Sequence, residues 1–142
     1  MNLSEIAEKI REGFGLVGYV ESIYDGDAYD TWNNKEVRYL SACFELESIE
    51  TAENIKTYNL IVYTADRLME DGSNKMLCWD AAEQATETML NFITENGESD
   101  ILFIDETRQY TPFVQKFADN LAGVYCRVKL KTRNEINLCS WN

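Results

Sequence analysis

The sequence contains no histidine and only one proline, Pro112. Without histidine the chain cannot build a Ser-His or Cys-His catalytic pair, and it cannot build a histidine metal site. No run approaches the eighteen or so apolar residues that a membrane-spanning helix needs. The first residues, Met1 to Glu5, lack the basic and apolar regions of a signal peptide. We therefore expect a soluble protein that is made in the cytosol.

Basic residues are also scarce. The chain has 13 lysines and arginines against 25 aspartates and glutamates, a formal net charge of −12. Nucleic-acid backbones are bound through Lys and Arg, and anionic membrane surfaces attract the same side chains. The charge balance therefore predicts neither specific nucleic-acid binding nor membrane binding.

What remains is an ordinary globular composition, 45% hydrophobic and 27% charged over 142 residues. A chain of this length buries about two-thirds of its unfolded surface, which is enough for a real core. No internal repeat, low-complexity tract or linker interrupts it. We expect one domain that covers residues 1–142.

The cysteines are scattered, and no two of them form a Cys-x-x-Cys pair: Cys43, Cys78, Cys126 and Cys139. A zinc site needs paired ligand spacing, and a cytosolic chain of this size does not need disulfides. The sequence therefore predicts free, mostly buried thiols and neither a metal nor a cofactor.

Apolar periodicity indicates two helices. Leu3, Ile6, Ile10 and Phe14 recur at three- and four-residue steps, so they predict a short helix over residues 4–13 with Ser4 as its N-cap. A long helix is predicted from a cap at Ser73 or Asn74 to Asn96, before Gly97. Its apolar face comprises Leu77, Ala81, Ala82, Ala85, Met89, Phe92 and Ile93.

Runs rich in β-branched and aromatic residues predict strands over residues 16–24, 40–47, 58–64, 101–104 and 124–131. The second and third form an antiparallel pair with a long connection, and Arg127, Lys129 and Lys131 share the wet face of the last. Residues 25–37 read as an acidic loop, and residues 113–120 as either a short helix or an extended arm. The fold class is α+β: a two-layer sandwich of an antiparallel sheet with one long helix packed on it, in the order α-β-β-β-α-β-β.

Three groups of residues invite a chemical interpretation. Asp25, Asp27 and Asp30 offer oxygen ligands, but their spacing departs from that of an EF-hand. The pairs Glu45 with Glu47 and Asp105 with Glu106 match a solvated row of carboxylates better than an acid–base pair. Gly13, Gly15 and Gly18 precede a strand, whereas the glycines of a phosphate loop lie between a strand and a helix. We predict no catalytic, cofactor-binding or metal-binding residue.

The three tryptophans differ in their context. Trp79, at the start of the long helix, is expected in the core. Trp32 lies in the acidic loop and Trp141 in an apolar segment, residues 138–142. Both either pack partly on the rim of their own domain or anchor another subunit, because tryptophan is enriched at interface hot spots.

The stretch from Tyr110 to Val124 runs through Asp119-Asn120-Leu121-Ala122-Gly123 into the last strand. It resembles a pattern in small structural proteins of phages that infect Bacteroides, including crAss-like phages. The order of an N-terminal helix, a hairpin, a long Ala-rich helix and two closing strands is similar to that of tail-terminator or tail-completion (neck) proteins of tailed phages. The resemblance implies a structural virion protein without catalysis, made in the host bacterial cytoplasm. It would form a homo-oligomeric ring that joins portal or adaptor proteins to the tail.

Such a ring needs segments that reach neighbouring subunits, and the loop 25–37, the arm 106–122 and the apolar C-terminus are the candidates. Closed rings form through head-to-tail interfaces. An acidic channel would repel phosphates, so DNA would pass through without specific binding.

A second interpretation is a small acidic binding module, either an inhibitor or a DNA mimic, that acts on a basic protein partner. Its acids should then form one continuous face. An enzyme is disfavoured because the residues that usually carry out chemistry are missing or unpaired.

Overall fold

The computed structural model describes residues 2–34, 37–96, 102–104 and 107–133. These residues form three helices and six strands, in the following order: α1 (Leu3–Gly15), β1 (Ser22–Asp25), α2 (Ala28–Asn34), β2 (Ser41–Ala52), β3 (Ile55–Arg67), α3 (Lys75–Asn96), β4 (Leu102–Ile104), β5 (Thr111–Lys116) and β6 (Asn120–Arg133). Gly97, Ile101, Asp105, Glu106, Cys139, Trp141 and the rest of segment 138–142 lie outside the described residues. No described helix is long and apolar enough to cross a membrane.

All described strands belong to one sheet with the order β1-β2-β3-β6-β4, and β5 also pairs with β6. At its centre β3 pairs antiparallel with β6 along its whole length, from Ile55 opposite Arg133 to Arg67 opposite Leu121. We call the Arg67 end of the sheet the upper end and the Ile55 end the lower end. Among these strands only β1, which joins β2, makes a parallel pair. The predicted α+β class is confirmed, with this one parallel pair added to an otherwise antiparallel sheet.

Helices α1 and α3 cover one face of the sheet and enclose the main core. Alternate residues of the long strands point into it, including Phe44, Tyr58, Leu60, Val62, Cys126, Val128 and Leu130. From α3 the buried residues are Cys78, Ala82, Ala85, Thr86, Met89, Leu90 and Ile93. The predicted face is right at its centre, but Leu77 is 70% exposed. The buried stripe of α3 includes Cys78. Successive positions of a helix are rotated by about 100°, so Leu77 points away from the core.

The two helices of this layer approach closely because α1 presents a glycine to α3. A Cβ on Gly13 would lie 2.9 Å from Cγ of Met89 and 3.0 Å from its carbonyl oxygen. Larger side chains would therefore push the helices apart. This packing role accounts for the first glycine of the Gly-rich stretch.

The N-terminal boundaries differ from the prediction. The side chain of Asn2, not of Ser4, accepts the capping hydrogen bond from the Glu5 amide, and α1 continues to Gly15. The strand predicted over residues 16–24 is right only for residues 22–24, because β1 spans Ser22–Asp25. The preceding residues form turns that hydrogen-bond back to the helix end, such as that from the Val17 amide to the Phe14 carbonyl. Burial of Phe14 and Val17 holds these turns against the core.

An acidic loop over residues 25–37 is also wrong, because α2 lies inside it. The Asp27 carboxylate accepts a hydrogen bond from the Asp30 amide at 2.7 Å, which is an N-cap interaction. The helix then buries Trp32 to 1% exposure on the outer face of the sheet, the face opposite α1 and α3. The predicted acidic loop thus contains a capped helix with a core tryptophan.

Two connections also depart from the prediction. The turn between β2 and β3 is tight, not long, and Glu53 adopts a positive φ of 55° within it. The described part of the arm 106–122 is a β-hairpin, because β5 pairs with β6 from Thr111 opposite Tyr125 to Lys116 opposite Asn120. Apolar and polar residues alternate only weakly over residues 111–116. This segment is therefore a strand because it pairs with β6.

Candidate functional site

The outer face of the sheet carries a second, smaller core at its upper end. Trp32 stacks on Phe113, with 6.2 Å between the ring centroids, and meets the rings of Tyr63 and Phe117 edge-on at 6.3 and 5.3 Å. Its indole N–H donates to the hydroxyl of the buried Ser41 at 3.0 Å. Trp32 is therefore neither a rim residue nor a subunit anchor but the centre of an aromatic cluster. The cluster fixes α2 and the β5–β6 hairpin on the sheet.

Trp79 is half-buried on α3, not fully in the core, and supports the same hairpin. Its indole N–H donates to the Phe113 carbonyl at 3.0 Å. At the hairpin turn the Tyr39 hydroxyl donates to Asp119 at 3.1 Å. Burial, together with this hydrogen bond, raises the pKa of Tyr39 to about 12. The hairpin is thus anchored at both ends to its own domain.

Beside the aromatic cluster lies a cleft of about 530 Å³, which we call the aromatic cleft. Five rings and one guanidinium line most of it: Tyr29, Tyr63, Phe113, Phe117, Tyr125 and Arg127. Asp27 and Gln115 add polar groups. The size and the mixed lining are typical of ligand-binding clefts. Sequence reasoning missed this site because its rings come from α2, β3, β5, β6 and the β5–β6 turn.

The electrostatics of the cleft centre on Arg127. Its Nε lies 3.3 Å from Oε1 of Glu47, and its guanidinium lies over the Tyr125 ring, 5.7 Å from the centroid. Burial raises the pKa of Tyr63, and the neighbouring charge of Glu45 adds to the rise. The Tyr63 hydroxyl is therefore a neutral hydrogen-bonding group at neutral pH. The cleft thus offers aromatic walls, the Arg127 guanidinium, the Asp27 side chain and the neutral Tyr63 hydroxyl group.

Two of the acidic residues singled out in the sequence, Asp27 and Glu47, have structural roles. Asp27 caps α2, and Glu47 lies at a register irregularity in β2, where it pairs with Arg127. Burial, and then the charges of Asp27 and Glu47, raise the pKa of Glu45. Among the described residues no group of three or more acidic or cysteine side chains could hold a metal ion.

The wet face of β6 is confirmed as a basic row. Arg127 and Lys129 are exposed and Lys131 is half-exposed, and Arg133 extends the row to the end of the strand. The helix layer on the opposite side of the molecule is acidic instead. Its exposed acids are Glu5, Glu8 and Glu12 in α1 and Asp80, Glu83 and Glu95 in α3.

Two groups of exposed apolar side chains lie at opposite ends of the molecule. The upper apolar patch comprises Met69, Met76 and Leu77, which are 56%, 65% and 70% exposed, around the start of α3. The lower apolar patch is smaller: Ile49 and Ile55, 45% and 40% exposed, lie near the β2–β3 turn. Ile49 is opposite Tyr58 and so lies on the helix side of the sheet, whereas Ile55 is opposite Arg133 on the outer face. Apolar groups that stay exposed together, as in the upper apolar patch, are typical of interaction surfaces.

The cysteines of the described residues are free and buried, as predicted: Cys43, Cys78 and Cys126. Burial raises the pKa of all three thiols, and for Cys43 the charges of Asp27 and Glu45 add to the effect. Because the thiolate is the reactive species, these thiols should be inert in the folded protein.

This inertness can be measured. In a Cys139→Ser variant at pH 8, we expect a chromogenic disulfide reagent to detect no rapidly reacting thiol in the native protein. In denaturant the same protein should react with three equivalents of the reagent, one for each of the three cysteines named above. A thiol that reacts within seconds in the native protein would contradict the buried placement.

The chain matches no protein-family model, and a search of curated proteins found no significant relative.

Proposed function

We propose that this protein is a structural ring subunit of the head–tail connector or tail of a tailed phage. The observation that supports this best is the placement of the two apolar patches at opposite ends of the sheet. Thirteen residues of β3 separate those ends, a distance of about 40 Å at 3.3 Å per residue. A closed ring needs two different surfaces on each subunit, because its interface is head-to-tail.

The open edge of β2 gives the lower end a further means of association. Within the described residues β1 pairs only with Ser41 to Phe44, so no strand pairs with the outer edge of β2 beyond Phe44. Unpaired edge strands are ready to accept another chain. Glu45, Glu47 and Glu50 on this strand oppose its pairing with a second β2, since like charges would meet. The edge therefore favours an unlike partner surface, as a ring requires.

Charge separation supports an orientation within the ring. We place the acidic helix layer toward the channel and the basic row of β6 away from it. DNA phosphates would then meet a repelling wall, so a genome would pass without specific binding. The neighbours in this proposal are other connector or tail ring proteins, and it includes no catalysis.

The same acidic helix layer favours the second candidate, a binding module that mimics phosphate charge. A mimic acts as a monomer or dimer on a basic partner, whereas a ring subunit self-associates. The assembly state therefore separates the two candidates.

Light scattering followed by negative-stain microscopy tests the ring. We expect the wild-type protein to form a closed species several times heavier than 16.4 kDa. Leu77→Glu should block the upper patch and Ile49→Glu the lower patch, each leaving monomers, because a buried unpaired charge is costly. Gln84→Glu, on an exposed part of α3, is the matched control and should leave the ring intact.

Mixing the two blocked variants identifies the type of interface. A head-to-tail contact leaves one good surface on each variant, so the mixture should form dimers and nothing larger. Monomers alone in the mixture would argue against a head-to-tail ring. A wild-type monomer that captures a basic protein only at low salt would support the binding module instead.

A further inference from the structure

The ring contacts proposed above do not involve the aromatic cleft. It is a preformed surface, because Trp32 supports its walls through contacts with Tyr63, Phe113 and Phe117. Tyr29 stands 71% exposed at its mouth. A rigid cleft with partly exposed rings loses little entropy when an apolar group enters it.

The lining specifies the chemistry of the occupant. Aromatic walls favour another aromatic ring through edge-to-face or offset contacts. The Asp27 carboxylate lines the cleft and accepts one hydrogen bond from the Asp30 amide. A carboxylate has capacity for several hydrogen bonds, so Asp27 can also accept one from an indole N–H. An indole side chain satisfies both conditions.

The chain itself contains a matching segment. Residues 134–142 follow β6 and read Asn-Glu-Ile-Asn-Leu-Cys-Ser-Trp-Asn. They carry Ile136, Leu138 and Trp141 with a single charged side chain, Glu135. Apolar groups and an indole thus occur together in one short segment.

We propose that the aromatic cleft binds the segment 136–141 of a second copy of this chain, with Trp141 inserted between the rings. This inference rests on the proposed ring. In a head-to-tail ring the lower end of one subunit, where β6 ends at Arg133, faces the upper end of the next, where the cleft lies.

The length of the segment after Arg133 disfavours its binding to the cleft of its own subunit. Tyr125 lies eight residues before Arg133 on β6, about 26 Å away at 3.3 Å per residue. Trp141 follows Arg133 by eight residues, and a reversal of direction uses at least two of them. The remaining six span at most ~20 Å. Within one subunit that length brings the Trp141 backbone only as far as Arg127, at the edge of the cleft, and only at full extension.

Site-specific photocrosslinking of the full chain tests the proposal. A Trp141→benzoylphenylalanine variant should, on irradiation, form a dimer band whose crosslinked peptide contains Tyr29 or Tyr125. Adding Tyr29→Ala should reduce the yield at least ~fivefold, because it removes a ring at the mouth of the cleft. Val114→Ala, on the same hairpin but outside the cleft lining, should not change it. Benzoylphenylalanine at the exposed position Leu16, in place of leucine, should give no link to the cleft.

The mass of the wild-type assembly separates this inference from the ring proposal. Rings without a crosslink between the segment and the cleft, or with an intramolecular one, overturn the docking inference and leave the ring standing. Monomers without an intermolecular crosslink overturn both. Rings with the expected intermolecular link support both.

Discussion

Replacing Gly123 with alanine should lower the free energy of unfolding by about 3 kcal/mol or more, at the upper end of the cost of overpacking. Gly123 lies on β6 opposite Ala65 of β3, in the longest strand pair of the sheet. A Cβ there would come within 2.6 Å of the Ala65 Cα and 2.7 Å of its Cβ, and it would overlap the Thr64 carbonyl oxygen. Two of these three atoms belong to the backbone, so a side-chain rotation cannot relieve the overlap.

Urea unfolding followed by circular dichroism measures the loss. Gly18→Ala is the matched control, because no atom lies within 4 Å of its added Cβ. We expect that variant to stay within about 0.5 kcal/mol of the wild type. In a double variant, Ala65→Gly should restore only part of the stability lost in Gly123→Ala, since the backbone contacts remain. Equal stability of Gly123→Ala and Gly18→Ala would contradict the close approach of β3 and β6.

Trp32→Ala should cost about 3–5 kcal/mol, the usual range for deleting a buried large aromatic side chain. The substitution removes the centre of the outer-face core and leaves the Ser41 hydroxyl buried without its indole partner. It should also loosen the β5–β6 hairpin, because Phe113 and Phe117 both pack on this ring. Amide hydrogen exchange should therefore rise in the hairpin before it rises in β3.

Two further substitutions separate the contributions. Tyr29→Ala, on the same helix but 71% exposed, should leave the stability within about 0.5 kcal/mol of the wild type. Trp32→Phe keeps most of the ring volume but removes the donor to Ser41, so it should cost about 1–3 kcal/mol. If Trp32→Ala lowered the free energy of unfolding no more than Tyr29→Ala, Trp32 would be an exposed loop residue and the buried placement would be wrong.

These stability measurements also support the interpretation of the assembly variants. Leu77 and Ile49 lie outside both cores, so a loss of mass in their glutamate variants reports association and not unfolding. For the same reason Tyr29, which is largely exposed, is a suitable probe of the cleft.

The sequence by itself determined the elements whose residues repeat over many positions. The α3 helix follows from its apolar spacing, and β2 and β6 follow from their alternation, as do the solvent-exposed basic row and the burial of Cys43 and Cys126. The β3 strand follows from its run of β-branched and aromatic residues, which is buried on both faces at its centre. Such periods and runs are local properties of the chain. The α+β class follows from their order.

The packing on the outer face of the sheet depends on the tertiary structure and could not be predicted from the sequence. Trp32 is buried because Tyr63, Phe113 and Phe117, which belong to other parts of the chain, pack around it. No sequence pattern near Trp32 predicts these contacts. Likewise β5 becomes a strand because β6 offers it a free edge, and Gly123 is required because Ala65 lies against it. These features depend on partners that are distant in sequence, so the aromatic cleft could emerge only once the sheet had brought its rings together.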